Sequence, residues 1–180
     1  MIKIPIFEIS KHFFDLIPTQ SFNIIMAKEI DFHFKSPKDS PGYLLGQLTI
    51  LWQRKLKKVL DPVDLTQTQF VLLAAVGWLS KKSDAVTQID IANQSNSDRM
   101  MVSKVLRTLE EKGFLTRQEH ETDTRAKIIR LTDTGETVLQ KALIEVENAD
   151  LDFFSALSEN LSSFNSNMVN LIEKNKPDFT

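Results

Sequence analysis

The chain has 180 residues, 42% of them apolar and 26% charged, and a formal net charge of −2, which is typical of one compact domain with an appended element. It has no cysteine, so disulfides, thiolate metal sites and thiol redox sensing are excluded, and no apolar window is long enough to predict a membrane span. Charged residues at positions 8, 11 and 15 interrupt the apolar start and exclude a secretory signal, so we expect a cytoplasmic protein.

Residues 1–40 differ from the rest of the chain. They contain six of the twelve phenylalanines, show no sustained helical or alternating period, and end in a breaker run of Pro, Ser, Asp and Gly over residues 36–42. We interpret them as an N-terminal extension, of which residues 1–25 are not native and the natural chain starts at Met26. The competing interpretation is a Phe-rich arm that reinforces a dimer.

The helical pattern begins after this run. An apolar stripe over 43–60 predicts a long helix that ends at Asp61-Pro62. Thr66 is a candidate N-cap for the next helix, which is apolar on all sides from Phe70 to Leu79 and is therefore expected to be central.

Two short helices then follow in close succession. Thr87 is expected to cap the first, which runs through Gln94 with Ile89 and Ala92 facing inward. A turn over 95–97 leads to the second, capped by Ser97 or Asp98 and stopped by Gly113. Its inward face carries four apolar residues at i, i+3, i+4 and i+7, and the opposite face carries charge. The inward residues are Val102, Val105, Leu106 and Leu109, and the opposite ones are Met100, Lys104, Arg107 and Glu111.

A β-hairpin and two further helices complete the pattern. Strands are predicted over 114–120 and 126–131, with charge at the hairpin tip. Thr132 or Asp133 starts a long helix that reaches about Leu157, and a last helix covers 161–173. The fold class is therefore mainly α (α+β), a winged helix-turn-helix with long N- and C-terminal dimerisation helices.

The hairpin carries Asp123-Thr124-Arg125 and, a few residues later, Leu131-Thr132. This resembles the MarR family of bacterial transcription regulators, whose wing has Asp-x-Arg followed closely by Leu-Thr. The resemblance covers about 41–172 and implies a winged-helix domain over 41–175, with a DNA-binding lobe at 62–132 and dimerisation helices at 43–60 and 133–173. It also implies a homodimer that acts as a repressor on a pseudo-palindromic operator in double-stranded DNA.

The candidate DNA contacts follow from the helix-turn-helix pattern and the resemblance. Arg and Lys side chains donate to guanine O6 and N7, whereas Met contacts thymine methyls or fills space. The resemblance implies that Arg125 enters the minor groove and that Asp123 orients it. Although the net charge is negative, the segment 99–107 holds three cations and no acid. The candidates are Thr87, Gln88, Ser97, Arg99, Met100, Met101, Ser103, Lys104, Arg107, Asp123, Arg125 and Lys127.

The resemblance also implies release of DNA by a small, often aromatic, anionic effector that binds between the dimer helices and the DNA-binding lobe. Candidate pocket residues are Leu48, Trp52, Phe70 and Leu73, for each of which plain core packing is the competing interpretation. Three scattered histidines and no cysteine predict no metal site, and the absence of a nucleophile elbow or phosphate loop predicts neither catalysis nor a cofactor. Two alternatives stay open: a winged helix that binds protein, and a helical small-molecule-binding protein without DNA binding.

Overall fold

The computed structural model describes residues 30–119 and 127–175. The first 29 residues, including the expected non-native segment 1–25, lie outside the described part, as do Asp123 and Arg125 at the hairpin tip. Within it, none of the helices is both long and apolar enough to cross a membrane. The elements are α1 (Pro41–Leu60), α2 (Gln67–Leu79), α3 (Gln88–Gln94), α4 (Arg99–Glu111), β1 (Leu115–Glu119), β2 (Lys127–Leu131), α5 (Asp133–Phe153) and α6 (Leu161–Lys174), with 3-10 turns at Pro37–Asp39, Asp61–Val63 and Ser155–Asn160.

The chain divides into two compact units, residues 1–44 and 45–180. In the described part of the first unit, the predicted breaker run forms the 3-10 turn Pro37–Asp39. Ser36 caps this turn, and Asp39 accepts a hydrogen bond from the Ser36 backbone N–H at 3.0 Å. The run therefore folds locally and leads into α1.

Side-chain caps set the starts of α2, α3, α4 and α5. Thr66 and Thr87 cap α2 and α3 as predicted, and each also forms a capping box, with Gln69 and Asp90 respectively. Of the alternatives left open for α4 and α5, Asp98 and Thr132 are the caps. Gly113, at φ 72°, takes the left-handed conformation just past the end of α4 that favours glycine.

Helix α2 is the centre of the core, as its apolar surface predicted. Leu72, Leu73 and Val76 have no exposed surface. They pack with the inner residues of the neighbouring elements in a single hydrophobic cluster. These partners are Ile91 and Ala92 of α3, Val102, Leu106 and Leu109 of α4, Leu115 and Ile129 of the strands, and Leu139, Ala142 and Val146 of α5.

Two sequence-based expectations were wrong. Ile89 is 49% exposed, whereas Ile91 is fully buried beside Ala92. Three apolar residues lie within four positions of this short helix, so periodicity alone did not determine which pair faces inward. Helix α5 ends at Phe153 rather than near Leu157, because its C-cap Phe154, at φ −93° and ψ 4°, leaves the α-helical conformation and is followed by the 3-10 turn.

Aromatic residues join α1, α5 and α6. The ring of Trp52 lies 5.2 Å from that of Phe153 and 5.8 Å from that of Phe154, which in turn lies 5.9 Å from the ring of Phe164. These rings cover one another and are half-buried. In contrast, none of the 14 residues of α6 is buried, although Val169, Leu171 and Ile172 are apolar. Among the residues that the structure describes, the C-terminal helix therefore presents an apolar face that no other element covers.

Asp150 lies on α5, and partial burial raises the pKa of its carboxyl above the ordinary value, with a further contribution from the charge of Glu147. Because the folded-state pKa is raised, Asp150 contributes stability below its unfolded pKa, and this contribution is lost as pH rises through the folded value. We expect Asp150→Asn to raise the melting temperature slightly at pH 7 and to leave it unchanged near pH 3. Asp152→Asn, which removes the ion pair with Lys55, is the control and should give no gain at pH 7. A melting-temperature gain for Asp150→Asn that persists near pH 3 would contradict this assignment.

Candidate nucleic-acid interface

The turn between α3 and α4 is held by its own polar side chains. Ser95 Oγ donates to the carbonyl oxygen of Ile91 at 2.7 Å, and Ser97 Oγ donates to that of Ser95 at 3.1 Å. Gln88 Nε2 reaches across from α3 and donates to the carbonyl oxygen of Arg99 at 3.2 Å. Two of the candidate DNA contacts, Gln88 and Ser97, thus brace the start of α4 in the free protein.

Thr87 links α3 to the hairpin. Its hydroxyl caps α3 and donates to Asp90 Oδ2 at 2.6 Å. Its backbone forms an antiparallel bridge with Ile128, and Ile129 N donates to the carbonyl oxygen of Val86 at 2.8 Å. The residues just before α3 therefore lie alongside β2, on the edge that β1 does not occupy. Sequence reasoning missed this contact because two residues are too few to produce an alternating pattern.

The outer face of α4 is cationic. Arg99, Lys104 and Arg107 are exposed, and Met100 lies among them with 79% of its surface exposed. Met101 instead packs in part against the core, and Ser103 is half-buried. We call the surface formed by Arg99, Met100, Lys104 and Arg107 the α4 face. It leaves donor-rich side chains free on one side of a rigid helix.

The hairpin, or wing, adds further cations. Strands β1 and β2 pair antiparallel from Leu115 opposite Leu131 to Glu119 opposite Lys127. Lys127 Nζ lies 3.4 Å from the Glu119 carboxylate, so this cation is partly compensated. Arg130 is exposed on β2 next to buried Ile129. Sequence reasoning missed Arg130, although strand alternation around Ile129 indicated its outward direction.

An ion pair joins the wing to α4. Arg117 Nε lies 3.1 Å from Glu110 Oε2, and the side chains are 17% and 40% exposed. The contact lacks the geometry of an aligned hydrogen bond, so Nε is held by charge attraction. This pair connects β1 directly to the helix that carries the α4 face, and no sequence motif had indicated it.

We expect the Arg117–Glu110 pair to stabilise the docking of the wing. Arg117→Met should lower the free energy of unfolding by about 1–2 kcal/mol, because it removes one partner of a partly buried pair. Glu110→Gln should cost less, since Glu110 is the more exposed. A double-mutant cycle measured by chemical denaturation should give a coupling of about 1 kcal/mol. Additive effects of the two substitutions would contradict this role.

Hydrogen bonds between the start of α5 and the backbone of residues 113–114 fix the position of α5 against the wing and the end of α4. Thr132 N donates to the carbonyl oxygen of Phe114 at 3.1 Å, and Thr132 Oγ1 donates to that of Gly113 at 2.7 Å. Gly135 N donates back to Thr132 Oγ1 at 3.0 Å. A Cβ on Gly135 would lie 1.8 Å from the Phe114 carbonyl oxygen, so only glycine permits this approach.

A cleft of about 660 Å³ separates α2 from α5. The four candidate pocket residues do not come together in it. Phe70 lines the cleft, whereas Leu73 is fully buried in the core and Trp52 packs in the aromatic cluster with Phe153 and Phe154. Leu48 is half-buried on α1 and is not part of the lining. The lining residues are Phe70, Val71, Ala74, Ala75, Gly77, Trp78, Lys81, Gln94, Ser95, Leu131, Glu136, Leu139, Gln140, Leu143 and Glu147.

Ionisable side chains elsewhere do not form a metal centre. Over residues 30–119 and 127–175, no group of three His, Asp or Glu side chains is arranged to hold a metal ion.

Comparison with known proteins gives consistent results. A family model described as the MarR family matches residues 65–127. The uncharacterised HTH-type transcriptional regulator YdcH of Bacillus subtilis (strain 168) is 44% identical over 123 residues, which are 68% of this chain and 84% of YdcH.

Solved structures share the fold at lower identity. CouR from Rhodococcus jostii RHA1 bound to p-coumaroyl-CoA is 21% identical and superposes with a TM-score of 0.67 over 82% of this chain and 99% of CouR. The transcriptional repressor CouR bound to a 23-mer DNA duplex is 22% identical, with a TM-score of 0.69 over 80% of this chain and 99% of the matched chain.

Proposed function

This chain belongs to the MarR family of transcriptional regulators and is not an enzyme, and from that premise we propose that it binds operator DNA sequence-specifically as a homodimeric repressor. The observation that carries the proposal is the α4 face, a row of exposed cations on a helix braced by α3 and the wing. Such a helix fits the major groove of duplex DNA, with its N-terminal residues near base edges. Because its target is operator DNA, we place its action in the cytoplasm.

The contacts divide by chemistry. On the α4 face, Arg99, Lys104 and Arg107 supply donors for guanine edges and phosphates. At the start of α3, Thr87 and Gln88 would contact a DNA phosphate through the backbone N–H groups of the helix start. Lys127 and Arg130 supply phosphate contacts from the wing. From the family resemblance, we propose that Arg125 enters the minor groove and that Asp123 orients the Arg125 side chain.

The uncovered C-terminal helix supports the homodimer. Leu151 is 70% exposed and Leu171 is 63% exposed, and α6 buries none of its residues. A 14-residue helix has little stability unless its apolar face is packed. We propose that α6 and the end of α5 pack against the same elements of a second copy, so that each dimer presents two α4 faces to two half-sites.

The test is selection of bound sequences from a pool of random duplexes, followed by affinity measurements at several salt concentrations. We expect a pseudo-palindromic sequence, a dimer by light scattering, and a log–log salt slope of about −0.9 for each phosphate contact. A monomer at micromolar concentration, or affinity independent of salt, would refute the proposal. Salt-independent behaviour would instead favour a winged helix that binds protein.

We propose that a small aromatic or anionic effector occupies the cleft between α2 and α5. The cleft has rings at Phe70 and Trp78, and Lys81 Nζ lies 5.2 Å from the centre of the Trp78 ring, where it offers a positive charge.

The fluorescence of Trp78 can report on the occupancy of this cleft. The chain has two tryptophans, so Trp52→Phe leaves Trp78 as the only fluorescent tryptophan. Aromatic carboxylates that release DNA should quench its fluorescence, and Ala74→Leu, which narrows the cleft, should abolish quenching while DNA binding is kept. If an aromatic carboxylate still releases DNA from the Ala74→Leu variant, the effector binds outside this cleft.

A further inference from the structure

Met100 is the most exposed of the large apolar side chains on the described surface, with 79% of its area accessible. Its neighbour Met101 is half-buried against the core, so the two adjacent methionines have different surroundings. Packing within the protein therefore explains Met101, whereas Met100 has no packing partner among residues 30–119 and 127–175. An apolar side chain at the centre of a cationic surface requires a different explanation.

The backbone of Met100 is held firmly. Asp98 Oδ1 accepts a hydrogen bond from Met101 N at 2.9 Å, and Gln88 Nε2 donates to the carbonyl oxygen of Arg99 at 3.2 Å. Met100 is the second residue of α4, and Lys104 and Arg107 follow it at i+4 and i+7 on the same side. It therefore occupies the N-terminal part of the helix, which lies nearest to base edges in a helix-turn-helix complex.

The chemistry of the side chain limits what it can read. A thioether has no N–H or O–H to donate and is only a weak acceptor. In the major groove, the apolar group on a base pair is the C5 methyl of thymine. Methionine is flexible and polarisable and adapts to the position of such a group. We propose that Met100 is a specificity residue that selects thymine at one position of each half-site through contact with its methyl group.

This inference rests on the proposed DNA binding, and its test separates the two. In the selected operator, each thymine is replaced in turn by deoxyuridine, which removes only the methyl group. We expect one thymine position, the same in both half-sites, at which this change weakens wild-type binding. The loss should be about fourfold per half-site, because that is the affinity gained by burying one methyl group. Met100→Ala should bind more weakly and lose this sensitivity at that position alone. Because Met100 is so exposed, this variant should fold normally.

Met101→Leu is the matched control, because Met101 packs in part against the core and is not part of the α4 face, so this variant should leave the deoxyuridine pattern of the wild type unchanged. Equal sensitivity in wild type and Met100→Ala would overturn the inference, as would a wild type without any methyl-sensitive position. In either case binding to the unmodified operator would remain intact. If the wild type fails to bind any selected duplex, the proposed function itself is refuted.

Discussion

Replacement of Gly135 by alanine is expected to destabilise the protein by more than about 3 kcal/mol, because the fold cannot accept a side chain at this position. The added Cβ would lie 1.8 Å from the carbonyl oxygen of Phe114, a backbone atom fixed by its hydrogen bond to Thr132 N. Helix propensity alone predicts the opposite sign, since alanine is favoured over glycine within helices by about 1 kcal/mol. Chemical denaturation of the purified variant measures which effect is larger.

Thr134→Ala is the control for this experiment. It changes the adjacent, exposed residue of the same helical turn and should alter stability by less than about 0.5 kcal/mol. If Gly135→Ala matched this control or exceeded the stability of the wild type, the close approach of α5 to the end of α4 would be incorrect. The position of α5 relative to the α4 face would then also need revision.

Removal of two cations from the α4 face should have the largest effect on DNA binding. We expect the double variant Lys104→Ala/Arg107→Ala to bind its operator at least 100-fold more weakly, because each lost base contact costs about 1–3 kcal/mol. Both side chains are exposed, so the melting temperature should remain close to that of the wild type. The log–log salt slope should become shallower by about 0.9 for each cation that contacts phosphate.

The double variant Lys58→Ala/Lys141→Ala provides the matched loss of two exposed positive charges, on α1 and α5. It should leave operator affinity nearly unchanged, which would show that net charge alone does not explain the effect of the double variant. Equal affinities for the wild type and the double variant would exclude the α4 face from the interface. The wing and α3 would then be the remaining candidates.

Local patterns predicted much of the fold. The spacing of Val102, Leu106 and Leu109 identified the buried side of α4, and hence the direction of its charged face. The caps Thr66 and Thr87 were predictable because a hydroxyl before an amphipathic run satisfies free N–H groups at a helix start. These features depend on residues within one or two turns of each other, which is why the sequence reveals them.

Features that depend on contacts between distant segments were not predictable. The bridge between Thr87 and Ile128 joins distant parts of the chain, and the ion pair between Arg117 and Glu110 depends on how β1 turns back along α4, which no periodicity gives. The requirement for Gly135 arises from the approach of Phe114, which only the assembled fold creates. The four candidate pocket residues lie apart for the same reason, since apolar residues of α1 and α2 fill core positions as readily as they line a cleft.

Footprinting of the wild-type protein on its selected duplex by hydroxyl radicals tests the central claim most directly. A homodimer that places one α4 face in each of two half-sites predicts two protected segments on one side of the duplex, related by a two-fold axis. Their centres should lie about 10 base pairs, or a multiple of one helical turn, apart. A single protected segment, or uniform protection independent of sequence, would contradict the account.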